Sequence, residues 1–586
     1  MAYNCPRKQE GLAMKRWAIV GLGVIVGLSV ASVAQITWQL PRGEATNSGF
    51  ASLPLRPPLA VLWTFIPSEP ARLNRFPLTH DGERAFLVTA NNLYALSLVD
   101  GQPRENWRAT NLPYLLATPP ILAGGRVFVG TSQGEVLAFD PETGAPLEGI
   151  ALQQTAINAL GTYGDYLFVG TSDGFVHWAP LSHLTDLQSL RLSSPIATNF
   201  AFIPFKDEAV ICVGTASRLF FLRLTKEGER VRLRELARPL PPAGGSLTDP
   251  VYDPATRTVY VGAGETLARY SPLGQPMNPV RLKGSIGGAP VIAPDGTVFV
   301  GTDAGMVYAL SPRTLSLRWQ QRLPSAIQAP LLCTGESLWV ATFDGLLSGL
   351  EAKTGEIRWH FRLGDVNPNF VSVSVSAPPV AAPFGLVVVD TAGRAYAFTD
   401  ANCVHDGTPP AFYDATLQLL SAERQVVGYR LFDDAVAQET PAIPGRPPIY
   451  LRVRVADRET GVNEKTLKAQ LIALRRRPLQ VTDLTGTFKA TTGEWTVHVH
   501  VDRTSEKSPR QVVRVIAPLP DGEYLVVLQA SDYAGNTARR AFAFRVDNTL
   551  PPPRLQAMQP TAGAPGAQGV PAPPGAPGAP GGPGGY

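Results

Sequence analysis

Residues 298–310 read VFVGTDAGMVYAL: an apolar strand, Gly301-Thr302, a short polar turn closed by Gly305, and a second apolar strand. Two runs rich in β-branched and aromatic residues around a glycine-bearing turn form a β-hairpin. The same hairpin recurs upstream as FLVTANNLYAL from Phe86, VFVGTSQGEVLAF from Val127, LFVGTSDGFVHWA from Leu167, VICVGTASRLFFL from Val210 and VYVGAGETLARY from Val259. Downstream it returns as LWVATFDGLLSGL from Leu338 and VVVDTAGRAYAF from Val387. Eight copies thus follow one another at spacings of 39 to 49 residues. A period of roughly 40–50 residues with several strands per unit predicts a β-propeller, because a lone four-stranded sheet cannot bury both faces and stacks radially with its neighbours. The lead-ins Pro119-Pro120, Ala289-Pro290, Ala329-Pro330 and Pro378-Pro379 suit the start of an inner strand, where a missing N–H costs no ladder bond.

Several copies carry a tryptophan after the turn that follows the second strand. Gly349 to Trp359 contains Thr354-Gly355 and ends on tryptophan, Ala309 to Trp319 has the same length, and Ala95 to Trp107 is two residues longer. In the copy around Ala138 the turn Asp140-Pro141-Glu142-Thr143-Gly144 survives, but Glu148 occupies the tryptophan slot. This A-x-D-x-x-T-G-x-x-x-W pattern resembles the repeat of the quinoprotein, or PQQ-like, propellers. The resemblance implies that each tryptophan lies on an outermost strand and packs over the Thr-Gly turn of a neighbouring blade, a mechanical role with no chemistry of its own. The expected structural repeat positions are therefore Trp63, Trp107, Trp319, Trp359, Thr143, Gly144, Thr354 and Gly355. Trp63 belongs to the set because Leu62-Trp63-Thr64-Phe65 matches Arg358-Trp359-His360-Phe361, while the eighth copy stops at Asp400 without a tryptophan strand. Residues 61–66 are expected to supply the outermost strand of the Val387 blade, closing the ring and removing a free sheet edge.

Around this array the composition changes. Residues 1–36 hold Arg7, Lys8, Lys15 and Arg16 before an uncharged apolar run from Trp17 to Ile36. The run is near the roughly 20 residues of a membrane helix, and Ser32-Val33-Ala34 fits a cleavage site, so a signal-anchor helix and a cleaved signal peptide both stay open. Either places the rest of the chain outside the cytoplasm, periplasmic or on the cell surface. Residues 37–58, with Pro41, Pro54, Pro57 and Pro58, read as a linker, and 59–403 as the eight-bladed propeller. From 408 to 550 short alternating strands such as residues 450–456 suit a β-sandwich, and the closing hairpin DGEYLVVLQASDYAGN from Asp521 resembles bacterial Ig-like domains. Residues 551–586 are rich in proline and glycine and read as a disordered tail.

Composition narrows the function. Lys and Arg number 52 against 48 Asp and Glu in 586 residues, a net charge of +4, which lacks the basic excess of a nucleic-acid binder. Four cysteines exclude a disulfide scaffold or a cysteine-rich zinc protein. The quinoprotein dehydrogenases, as that family is known, hold their cofactor with adjacent cysteines and a calcium-binding acidic cluster. Here Cys212, Cys333 and Cys403 are far apart in sequence. His498 and His500 alternate on one strand face without an identifiable third metal ligand. Asp457, Asp532 and Asp547 offer hard oxygen donors for calcium and equally read as turn caps. Arg475-Arg476-Arg477 reads as a solvated strand end.

No catalytic, cofactor or metal residue is assigned, and no cofactor is expected. The propeller resembles BamB-type scaffold lipoproteins of outer-membrane assembly over about residues 59–403, although no lipid-anchor cysteine follows the apolar run. The expectation is a non-enzymatic envelope scaffold whose partner is another envelope protein or a surface polymer, with membrane contact through the N-terminal helix if it is retained. A PQQ-dependent oxidoreductase and a carbohydrate-binding accessory protein are the alternatives.

Overall fold

The sixth hairpin becomes the two middle strands of a four-stranded antiparallel sheet: Val291–Ile292, Val298–Gly301, Met306–Leu310 and Leu317–Arg322. Its alternation of side chains decides the packing. Val298, Val300, Tyr308 and Leu310 point into a core shared with the fifth sheet, while Phe299, Val307 and Ala309 point into one shared with the seventh. A strand buried on both faces reads as a continuous apolar run, which is how these repeats look in sequence. The computed structural model describes residues 36–553 except for 70–77, 153–154, 193, 207, 217, 228–229, 242–244, 368–371, 422–423, 432–439, 475–478 and 509–510. The apolar run before residue 36, Arg475 to Arg477 and the tail beyond 553 therefore lie outside the described residues. Among the described residues no helix is long and apolar enough to cross a membrane.

Eight sheets carry the eight hairpins, and we number them in chain order. Apolar cores join sheet 1 to 2, 2 to 3, 3 to 4, 4 to 5, 5 to 6 and 6 to 7. The largest core joins sheets 7 and 8 back to sheet 1, so the series returns on itself in a propeller-like arrangement. Most strand-to-strand contacts between sheets of the ring join first strands, with Ile157–Tyr163 of sheet 3 also touching the second strand of sheet 2, which places the first strands innermost. In sheet 8 the order is Val380–Ala382, Gly385–Val389, Ala395–Asp400 and then Leu59–Phe65, the last antiparallel to Ala395–Asp400 with Leu59 opposite Asp400. The closing strand is thus present, with Trp63 on it. Sheet 1 has three strands, Leu78–His80, Arg84–Val88 and Leu93–Ser97, and Trp107 sits in an irregular segment beside it.

The Gly-Thr step, present in four of the hairpins, has two jobs. A Cβ on Gly301 would lie 2.6 Å from Ile327 of the segment leading into sheet 7, so only glycine lets the two backbones approach. Thr302 then turns its hydroxyl back to the chain, accepting from the Met306 N–H at 3.4 Å; Thr131 does the same for Glu135 at 2.9 Å.

Beyond residue 410 two five-stranded sheets pack face to face. One contains Ala411–Leu420, Ile449–Ala456 and Glu494–His498; the other contains Val462–Ala473, Gly522–Asp532 and Thr537–Val546. Their inward side chains, among them Leu417, Leu451, Trp495, Val526 and Phe544, make a single core. A hairpin of Val501–Ser508 and Gln511–Ala517 stands apart as a two-stranded sheet.

Candidate functional site on the ring axis and at the sandwich seam

Residues 37–58 do not span open space as the linker that their prolines suggested. Trp38 pairs with His80 at the end of the first strand of sheet 1, each N–H bonding the other's carbonyl at 2.9 Å. The carbonyl of Gln39 then accepts from Leu122 in sheet 2, Ala45 from Phe202 in sheet 4, Thr46 from Tyr252 in sheet 5, Ser48 from Ile292 in sheet 6 and Gly49 from Cys333 in sheet 7. Phe50–Ala51 finally pairs in parallel with Leu332–Thr334. Innermost strands leave backbone N–H groups facing the axis, and an unpaired buried N–H is costly. This strap satisfies them in turn, a role that composition alone does not reveal.

Two strap side chains fill the axis. Asn47, held at φ 60°, donates to the carbonyls of Phe200 at 2.9 Å and Pro250 at 3.0 Å. Arg42, 1% exposed, donates to Pro290 at 2.7 Å, Asn47 at 3.3 Å and Ala289 at 3.4 Å. Burial lowers its guanidinium to about 10, partly offset by the nearby charge of Asp249. His80 Nε2 donates to the Ala381 carbonyl at 2.5 Å, and burial lowers its imidazole to about 4, so it is neutral.

Above this plug lies a polar cup of about 310 Å³. Its walls come from the segments leading into the first strands of sheets 5 to 8, including Thr248, Asp249, Ser285, Gly288, Gln328 and Ser376, with Asp303 from the hairpin turn of sheet 6. Asp249 is buried and accepts from the N–H of Asn199 at 2.8 Å and its amide at 3.0 Å. Asp303 Oδ1 accepts from the Ser285 N–H at 2.7 Å. A quinone–calcium pair does not suit these donors: both Asp249 oxygens are engaged, Cys212 and Cys333 are separately buried, and Cys403 stands apart from them.

The repeat positions expected from sequence are found at the seams between sheets. A Cβ on Gly355 would meet the Trp319 ring at 2.5 Å, and one on Gly144 the Trp107 ring at 2.8 Å; Trp63 covers Gly101 in the same way. Trp319 Nε1 donates to Ala352 at 3.0 Å and Trp63 Nε1 to Leu98 at 2.9 Å, in each case three residues before the covered glycine. Thr143 belongs to an Asx turn in which Asp140 accepts from its N–H and hydroxyl, both at 2.8 Å. Thr354 accepts from the Glu356 N–H at 3.2 Å.

Trp359 breaks the series. Sheet 8 offers it no Thr-Gly turn, and its Nε1 donates at 2.8 Å to Thr460 of the sandwich. The loop concerned, Asp457-Arg458-Glu459-Thr460-Gly461, repeats the D-x-E-T-G letters of Asp140 to Gly144. Asp457 accepts from the N–H groups of Glu459, Thr460 and Gly461 at 3.1, 2.9 and 2.7 Å. The acceptor differs from that of the ring seams, being the residue just before the glycine. Val61 of the closing strand donates to Glu459 at 2.9 Å, so the loop straddles sheets 7 and 8. Asp457 thus takes the turn-cap role that the sequence held open beside the calcium reading.

Asp457 indeed gathers with Asp532, but with Asp406 in place of the expected Asp547, their oxygens lying within 4.8 Å. Asp547 caps its own turn, accepting from the Thr549 N–H at 3.0 Å. The three carboxylates suit a hard cation, and each is also engaged by the protein. Thr460 donates its hydroxyl to Asp406 at 2.6 Å, and the side chain of Asn536 donates to Asp532 at 2.8 Å and to the Asp406 carbonyl at 3.0 Å. Burial and the neighbouring carboxylates raise Asp457 to about 7, and burial raises Asp532 as well. A second polar tie lies nearby, where Arg362 donates to Asp365 at 2.7 Å and Arg454 of the sandwich approaches the same carboxylate at 3.4 Å. His498 stacks edge-on against Tyr450 and His500, and these histidines belong to no three-ligand group among the described residues.

Comparison with known proteins fits this architecture. The family model described as outer membrane protein assembly factor BamB matches residues 60–266 and 252–402, more than half of the chain. Similar solved structures include the computationally designed Ika8 protein, 17% identical over 57% of this chain and 98% of that one, with a TM-score of 0.47. BamB from Moraxella catarrhalis is 14% identical over 58% of this chain and 99% of its own, with a TM-score of 0.43. No curated protein sequence matches.

Proposed function

We propose a binding role for this chain, which belongs to the family described as outer membrane protein assembly factor BamB. In our reading it is an exported, non-enzymatic envelope protein: an eight-bladed propeller displays a rigid face to another protein or a surface polymer, and an Ig-like sandwich serves as spacer. The apolar run from Trp17 to Ile36 tethers it to the membrane if uncleaved.

The plugged axis carries this reading. Arg42 and Asn47 stand where the inner strands converge and donate from their side chains to the ring's carbonyls at Ala289, Pro290, Phe200 and Pro250. What is left is a shallow polar cup on one face, a shape that favours recognition of a protruding group over enclosure of a cofactor. Rigid strand edges and loops around it give the broad surface such recognition uses.

The test is twofold. Purified protein mixed with PQQ and calcium should show no quinone absorbance change and no dye reduction with alcohols or sugars; either signal overturns the non-enzymatic reading. Cross-linking in native envelopes should then capture a defined partner, and glycan binding in its place would favour the polymer.

A further inference from the structure

One buried cation at the seam between ring and sandwich has an incomplete set of hydrogen bonds. Arg362 ends the outermost strand of sheet 7, Ile357–Arg362, and is 8% exposed. Its Nε donates to Asp365 Oδ1 at 2.7 Å, and its Nη2 donates to the same carboxylate. Its Nη1 is buried and has no hydrogen-bond partner among the described residues. A guanidinium carries five N–H donors and does not lose its charge on burial, so an unmet donor bears the full cost of desolvation. Arg42 on the ring axis is the contrast, since each of its three nitrogens donates to a carbonyl.

Arg362 lines a cavity of about 20 Å³, room for one small occupant. His360 and Asp365 of the ring share its wall with Glu464, Ala490 and Gly493 of the sandwich. Gly493, at φ 65°, lies against the unmet nitrogen, since a Cβ there would collide with Nη1. Charge is unbalanced at the same place. Arg454 of the sandwich approaches Asp365 at 3.4 Å, so two guanidiniums share one buried carboxylate. Glu464 is exposed to solvent, which weakens its attraction for either. Burial lowers His360 to about 4, so it is neutral, and its Nδ1 is tied to the Ser348 hydroxyl at 2.8 Å. A water molecule answers the N–H alone, whereas an anion answers the N–H and the surplus charge together.

We propose that this cavity binds one chloride ion, with the Arg362 Nη1–H group as its direct donor. A monatomic anion suits the volume, and a carboxylate or phosphate needs more room than the cavity offers. The ion joins the end of a ring strand to the sandwich, beside the carboxylate that already links Arg362 to Arg454. The site is independent of whatever the propeller face recognises.

Thermal melting of the full chain tests it, with chloride replacing gluconate at a constant sodium concentration of about 0.15 M, so that screening stays fixed. A ligand that binds only the folded state raises the midpoint as its concentration grows, and chloride should raise it by about 2 °C. Arg362→Met should remove that increment. Ala490→Leu, which fills the cavity and leaves the ion pairs in place, should remove it too, and it keeps the test decisive if loss of Arg362 prevents folding. Arg358→Met, an exposed cation earlier on the same strand, should retain it. The chloride increment is compared within each chain, so a variant of lower stability still reports. No increment in the wild type assigns the cavity to water and overturns the proposal. An increment that survives either cavity variant, or one lost equally in Arg358→Met, overturns it as well, because chloride then acts elsewhere.

Discussion

The seam between sheets 6 and 7 and the seam between sheet 7 and the sandwich use the same parts to different ends. At the first, Trp319 covers Gly355 and its indole reaches Ala352, leaving the ring half-buried at the rim. At the second, Trp359 is fully buried, packs against Trp339, Phe361 and Phe398, and reaches a turn borrowed from another domain. The seam between sheets 6 and 7 is a largely apolar core tied by the hydrogen bond from the Trp319 indole. The sandwich seam adds a carboxylate trio and a buried Arg362–Asp365 pair, so it gains definition from groups that resist burial. The same turn sequence can thus serve as a blade-to-blade spacer or as a domain coupling, depending on what stands behind it.

The largest test of this contrast is removal of residues 59–67. The closing strand is shared by ring and sandwich, so its loss should abolish a single cooperative thermal transition; unchanged calorimetric melting would show that neither seam depends on it. Trp359→Ala should cost about 3–5 kcal/mol in denaturant unfolding, against about half that for the less buried Trp107→Ala. Equal costs would erase the distinction between the seams.

A pH series sharpens the comparison because the two regions respond with opposite sign. His80 in the ring is lowered to about 4, so between pH 4 and 6.5 the unfolded chain binds more protons and ring stability rises with pH. Asp457 at the sandwich seam is raised to about 7, so between its ordinary value near 4 and 7 the folded form holds the extra proton and seam stability falls as pH rises. Each effect is on the order of a few kcal/mol. Asp457→Asn should flatten the fall while leaving the His80-linked rise; a profile unchanged by that substitution would remove Asp457 as its source. The smallest effect is expected from Gly461→Ala. Its φ of 89° is strained for any side chain, and the added Cβ would lie 2.8 Å from the His360 carbonyl, for about 1–2 kcal/mol. A loss of that size in the single cooperative thermal transition, read by calorimetry, is the expected outcome.

Much of the ring was legible because a two-residue period and a fixed spacing are properties of letters. Phe299 between Val298 and Val300 already separates two cores. The closing strand could be read from Trp63 for the same reason. The strap could not. Many of its contacts are backbone carbonyls meeting backbone N–H groups, which any residues supply, and Arg42 and Asn47 add the buried side-chain hydrogen bonds. The cup was equally hidden, since Asp249, Asp303 and Ser376 come from three lead-ins and turns that only ring closure brings together. Asp406 escaped notice because it lies between the domains, whereas Asp547 sits in the more familiar hairpin context and turned out to serve its own turn.

The closing strand also has a consequence in time. Leu59 pairs with Asp400, 341 residues later, so during synthesis the strand Leu59–Phe65 waits, with one edge bare, for the last sheet of the ring to emerge. Loop closure over such a distance is slow, and a bare edge is open to foreign pairing. Sheets 2 to 6 are assembled from local hairpins and need no such delay. The last event in building the ring is therefore the union of its first and last segments, and a chaperone that shields residues 59–65 would act at the moment of greatest exposure to aggregation.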